Sequence, residues 1–158
     1  MNLTEQIRLI GDVDYVIDWK DGRQEIGGFK NTVLKQGRKS LAKALANQLS
    51  GGFQFYITHM LFGDGGTQGG VKKYVDAGRN GLFGTTRLYK PVIAMIDPTI
   101  PTQAIFTAVI AFDEAVSVTL NEMALQMADG NLYSLTTFAD LNKTADMQIT
   151  WNWRLNFI

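Results

Sequence analysis

A mainly β domain, an antiparallel β-sandwich or barrel with one early α-helix, is the fold class this sequence predicts. Three observations predict it. Stretches rich in β-branched and apolar residues alternate between two faces, turn residues separate them, and a single stretch carries helical periodicity. A βαβ repeat is absent, which disfavours a doubly wound nucleotide fold. No internal repeat of fixed period and no low-complexity tail is visible.

The first strand is "DVDYVIDW", with Val13, Tyr15, Ile17 and Trp19 on one face and Asp12, Asp14 and Asp18 on the other. An Asp-Gly turn in "KDGR" lets "QEIGGF" return as its hairpin partner. In "GRKSLAKALANQLSGG", Leu41, Ala44, Leu45 and Leu49 make an apolar stripe, predicting a helix over 37–49 stopped by Gly51 and Gly52. That stripe is expected to pack on a sheet. "FQFYITHMLF" is the next strand, apolar enough on both faces to be covered on both sides. "RLYKPVIAMI", "QAIFTAVIAF", "VSVTLNEMALQM" and "NLYSLTTF" follow as strands. "MQITWNWRLNF" closes the chain with Met147, Ile149, Trp151, Trp153, Leu155 and Phe157 on one face.

A chain of 158 residues with 46% hydrophobic content can bury a core as one domain, 1–158, with residues 1–11 as an N-terminal arm. Fifteen basic and fifteen acidic residues balance, so no net field draws the chain to nucleic acid or to an anionic membrane. Absence of cysteine excludes disulfides, thiolate metal sites and a cysteine nucleophile. The longest apolar runs, around "AIFTAVIAF", are about half the roughly 20 residues of a spanning helix. The N-terminus lacks the basic start and apolar block of a signal peptide.

The stretch "HMLFGDGGTQGGVKKYVDAGRNG" poses the main functional question, because glycine followed by lysine can cradle a phosphate. Gly65 and Gly70 have the Walker spacing, but Val71 occupies the lysine position and Lys72 and Lys73 come late. Gly63 and Gly65 begin a dinucleotide pattern, but Gln68 stands where its third glycine belongs. The stretch therefore reads as a long mobile loop that becomes ordered against a neighbour. Asp64, Thr67, Lys72, Lys73 and Arg79 are its expected partner contacts.

Other candidates are weaker. Asp12, Asp14, Asp18 and Asp21 miss the EF-hand register, since Val16 and Ile17 fill its fifth and sixth positions. They read instead as the acidic face of an edge strand. His59 lies mid-strand among apolar residues and reads as a half-buried, satisfied imidazole. Glu114 and Glu122 have no fixed separation to act as paired acids, and no G-x-S-x-G nucleophile motif occurs. Trp151 and Trp153 fit core or a subunit interface better than a stacking platform. No catalytic residue, metal site or cofactor is expected.

Four stretches, "FKNTVLKQGRKSLAKAL", "ITHMLFGDGGT", "VTLNEMALQMADGNLYSLTTF" and "NKTADMQITWNWRLNFI", together resemble a group of small virion proteins of tailed bacteriophages. The group comprises tail, tail-fibre-like and head-decoration components. Lys30, Asn31 and Val33 match its "KN-x-V" strand, and Phe62 to Gly65 its "x-x-FGDG" loop. Glu122, Leu125, Asp129, Gly130 and Leu132 match the "E-x-x-L…DG-x-L" segment. Trp151, Trp153, Leu155 and Phe157 match the final "W-x-W-x-L-x-F" strand, and "LFGTTRLYKP" the leucine and arginine after the loop. The resemblance spans roughly residues 29 to 158 and implies a non-enzymatic virion component without cofactor. It also implies other virion proteins as partners, a homo-oligomer, and a virion location after synthesis in the bacterial cytoplasm. The alternative is a free carbohydrate- or cell-surface-binding β-sandwich module.

Overall fold

The computed structural model describes residues 8–48 and 55–158. Strands β1 (Leu9–Trp19) and β2 (Gln24–Lys30) form the expected hairpin. Its turn is fixed by Asp21, whose carboxylate accepts the Arg23 backbone N–H at 3.0 Å, and by Gly22 at φ 89°. The chain changes sheets at Asn31 and continues as β3 (Thr32–Val33) and helix α1 (Lys35–Leu45). Then come β4 (Ile57–Gly63), the short β5 (Thr67–Gln68) and β6 (Val71–Lys72), and β7 (Thr86–Pro91). The remainder is β8 (Ile93–Ile96), β9 (Gln103–Ile110), β10 (Thr119–Met127), β11 (Leu132–Asn142) and β12 (Met147–Phe157).

These strands make a sandwich and not a closed barrel. The front sheet has the order β2-β1-β12-β9-β8, and the back sheet β3-β11-β10-β4-β7. Strands β5 and β6 form a separate two-stranded hairpin, with positive φ at Gly69 and Gly70 as a two-residue turn demands. Every pairing is antiparallel.

The alternation read in the last strand sets the core. Met147, Ile149, Trp151, Trp153 and Leu155 are buried between the sheets, both indoles completely, and Phe157 at the end is half open. Opposite them stand Met60, Phe62, Met123 and Leu125 from the back sheet. Large side chains like these dominate core energetics, each buried one contributing about 1.5–3 kcal/mol. A smaller cluster lies outside the back sheet, where Leu34, Leu61, Ala124 and Leu135 pack with Val75. So β4 is covered on both faces, as its composition predicts; Phe53 and Gln54 of that predicted strand lie outside the described residues.

Four expectations need correction. Strand β1 is not an edge, because it lies between β2 and β12. Its first residues are not an arm either: Leu9, Ile10 and Gly11 pair with Phe157, Asn156 and Leu155. Residues 1–7 of the proposed arm lie outside the described residues. "RLYKPVIAMI" is two strands in different sheets, since Pro91 ends β7 and the chain crosses at Val92 to begin β8.

The helix is also shorter than predicted and turned on its axis. It ends at Leu45, and Asn47 takes the left-handed φ of 53°, so asparagine supplies the stop assigned to Gly51 and Gly52. Gly51, Gly52 and Leu49 lie outside the described residues. Gly37 and Ser40 are the buried helix positions, with Leu41 and Ala44 half-buried, while Leu45 is 82% exposed. A Cβ on Gly37 would stand 2.6 Å from the Tyr133 carbonyl oxygen, so the helix lies directly on the β11 backbone. Small residues, not leucines, set that contact.

Candidate functional site

The glycine stretch folds around one buried carboxylate. A bulge in β10 between Leu120 and Glu122 turns both Asn121 and Glu122 toward the loop that covers the back sheet. Glu122 is fully buried. Its Oε1 accepts the backbone N–H groups of Gly65 at 2.9 Å and Gly84 at 2.8 Å, and its Oε2 accepts that of Phe83 at 2.6 Å. Asn121 Oδ1 accepts the Gly66 N–H at 2.7 Å. Glycine is required at this crossing, because a Cβ on Gly66 would lie 2.1 Å from the Asn121 carbonyl oxygen, and one on Gly65 2.2 Å from the Gly84 nitrogen.

This arrangement bears directly on the phosphate question. A phosphate cradle works by leaving several backbone N–H groups free to point at the anion. Here those donors point at an anion the chain itself supplies. The stretch is a nest of backbone donors filled by Glu122.

The five expected contact residues are placed as follows. Asp64 accepts the Thr85 N–H at 2.9 Å and pairs with Arg87 at 2.5 Å; the Arg87 bond, foremost, holds its carboxyl below the usual range. Thr67 donates to Asp140 Oδ1 at 2.6 Å and accepts from the Asn121 amide at 3.0 Å. Lys73 lies over the Phe83 ring at 5.2 Å, and its carbonyl accepts the Thr137 hydroxyl at 2.8 Å. Arg79 stacks on Phe83 at 3.6 Å and donates to the carbonyls of Gly81 and Leu82. The side chains of Lys72 and Lys73 make neither a hydrogen bond nor an ion pair among the described residues, and Lys73 has its ring contact instead. The reading of a loop awaiting a neighbour is therefore corrected: it is fastened within its own domain, because β10 carries a matched acceptor for its backbone.

The remaining candidates have structural roles. Asp12 pairs with Lys30, Asp14 with Arg154 and Asn152, and Asp18 with Gln24, forming cross-strand links on the outer face of the front sheet. His59 stacks on Tyr89 with ring centroids 3.9 Å apart, and its Nδ1 lies 2.9 Å from the Thr58 hydroxyl. Glu114 accepts two hydrogen bonds from Lys90, at 2.7 and 2.8 Å, and these first of all depress its pKa. Lys143 is buried and donates to the carbonyls of Phe112 and Thr144, tying two loops together; burial lowers its pKa. Among the described residues, no three His, Cys, Asp or Glu side chains are grouped to hold a metal, and no helix is long and apolar enough to cross a membrane.

Two surface features were not singled out by sequence reasoning. The first is a cleft of about 460 Å³ where the sheets part beneath β2. Strand β3 pairs with β11 only at Ser134 and Leu135, so the later residues of β11 form one wall and the inner faces of β1 and β2 the other. Phe29 and Phe138 stack across the gap, 5.2 Å apart and 10° from parallel. Tyr15 and Trp19 line the same cleft, with Glu25 on one wall and Lys72 and Asp140 on the other. Burial raises the Tyr15 pKa, so its hydroxyl stays protonated at neutral pH.

The second feature is the edge strand β8. All four of its residues, Ile93, Ala94, Met95 and Ile96, are exposed, Ile93 to 75%. A nearly apolar pocket of about 260 Å³ adjoins it, lined by Ala94, Phe106, Tyr133 and Phe157 among others. The chain matches no family model, and no match is found among curated proteins or solved structures.

Proposed function

We propose that this chain is a non-enzymatic structural component of a tailed bacteriophage particle: a tail, baseplate or fibre-attachment protein, or a capsid decoration protein. It works without cofactor, nucleic acid or membrane, and it assembles with copies of itself and with other virion proteins. The resemblance of four stretches to such proteins supports the particle, and one structural observation carries the assembly. Of the four edges of the two sheets, only β8 lacks a protecting device among the described residues. Strand β2 carries Glu25 and Lys30, β7 carries Arg87, Lys90 and Pro91, and β3 is two residues long. These are the usual means of keeping an edge from pairing. Strand β8 reads Ile-Ala-Met-Ile, with no charge and no proline, beside an apolar pocket. An unguarded edge of this kind favours a permanently occupied interface.

Quantitative mass spectrometry on gradient-purified particles of the encoding phage tests the proposal. The expected result is this chain at a fixed copy number per particle. Recovery only in the soluble lysate, with none in the particles, overturns it.

A further inference from the structure

We propose that the cleft beneath β2 binds a neutral saccharide. The site stands whether or not the chain belongs to a particle. Its volume of about 460 Å³ falls in the range of roughly 300–1,000 Å³ typical of small-ligand pockets.

Its polar groups identify the ligand class. Elsewhere on the front sheet, charged side chains are paired across strands, as Asp12 is with Lys30 and Asp14 with Arg154. In the cleft, Glu25 and Lys72 stand on opposite walls with no hydrogen bond or ion pair of their side chains among the described residues. Asp140 uses only Oδ1 for Thr67 and Asn121, which leaves Oδ2 toward further donors. Asn142 likewise uses its Oδ1, accepting from Thr119, and keeps its amide N–H groups. The cleft therefore offers acceptors and donors together, with two carboxylates against one ammonium.

That balance excludes the common alternatives. Phosphate and polyanion ligands need an excess of cationic donors, and the formal charge of this lining is negative. A lipid chain would strand unpaired carboxylates against hydrocarbon, where a charge is not tolerated without a partner. A sugar hydroxyl is donor and acceptor at once, so it pairs equally well with carboxylate, amide and ammonium. Its C–H faces pack on rings, and the lining supplies the half-buried rings of Tyr15, Trp19 and Phe29, the last backed by Phe138.

The tryptophans provide the assay. Trp151 and Trp153 are 0% exposed, whereas Trp19 lines the cleft, so a ligand there perturbs one indole of three. The full chain is titrated with maltotetraose, cellotetraose and chitotetraose, with ATP as the anionic probe, following tryptophan emission. A saturable change is expected with at least one oligosaccharide and none with ATP. Glu25→Gln and Lys72→Met alter exposed side chains without partners and leave the fold intact. Each is expected to weaken binding about tenfold, the equivalent of one charged hydrogen bond. No response to any of the three sugars overturns the proposal, as does a response to ATP alone. A sugar response unchanged in both variants places the ligand elsewhere and overturns it equally.

Discussion

Glu122 is the residue on which the glycine stretch depends. Three backbone N–H groups converge on its carboxylate, from Gly65, Phe83 and Gly84, and all would lose their acceptor together on truncation. Leaving a buried donor unpaired costs about 1–3 kcal/mol. Glu122→Ala is therefore expected to lower stability by about 3 kcal/mol or more in urea unfolding, and to expose the backbone of residues 63–85 to hydrogen exchange. Glu122→Gln should lose less, since Oε1 can keep Gly65 and Gly84 while an amide group meets the Phe83 N–H donor to donor. Unchanged stability and exchange in Glu122→Ala would show that the loop is held by other contacts. The sequence displays this residue plainly, a glutamate inside an apolar strand, but its spacing to the glycines is long-range and unreadable in one dimension. The missed signal was the coincidence of a mid-strand acid with glycines that no phosphate motif explains. The stretches "FGDG" and "LFGTTR" and the β10 glutamate meet here, and each contributes to one interlocked knot.

At the scale of elements, alternation is legible and rotation is not. Strands β1 and β12 show their buried faces directly in period two, because a strand between two layers has only two sides. The helix has no such restriction. Its leucines are its largest apolar residues, so a periodicity argument turns Leu45 inward; the close approach of Gly37 to the β11 backbone turns it outward instead. Backbone contact through glycine leaves no apolar trace in the sequence. Leu45→Asp is therefore expected to melt within about 0.5 kcal/mol of the parent, as surface substitutions do. Gly37→Val should cost about 1–3 kcal/mol, the usual range for overpacking, because the Tyr133 carbonyl cannot yield without moving its strand. A costly Leu45→Asp together with a silent Gly37→Val would restore the leucine face as the docked one. The chain crossing at Val92 was hidden for a related reason. Pro91 removes a donor but does not say which sheet receives the next strand.

The whole molecule is a sandwich with its two sheets treated differently. The back sheet is roofed by α1 and the glycine stretch, which bury Leu34, Leu61 and Leu135. The front sheet shows the outward face of β12, with Thr150, Asn152 and Arg154 half-buried and the last two in polar links to β1 and β9. That face can stay in water, because its charges are paired, but β8 beside it is apolar and has backbone groups that no strand among the described residues receives. An antiparallel partner would satisfy those groups, and a second β8 related by a two-fold axis supplies one without any other component. A single charge is the device by which natural edges prevent such pairing. Ile93→Lys is therefore expected to leave the melting temperature unchanged, since the side chain already stands in solvent. If the chain assembles through β8 as proposed, light scattering should show the parent as an oligomer and this variant as a monomer, and the proposed incorporation into particles should fall. Ile26→Lys, an equally exposed change at the charged edge β2, should do neither. If Ile93→Lys assembles as the parent does, the β8 edge is not the contact, and the apolar strand would need another explanation.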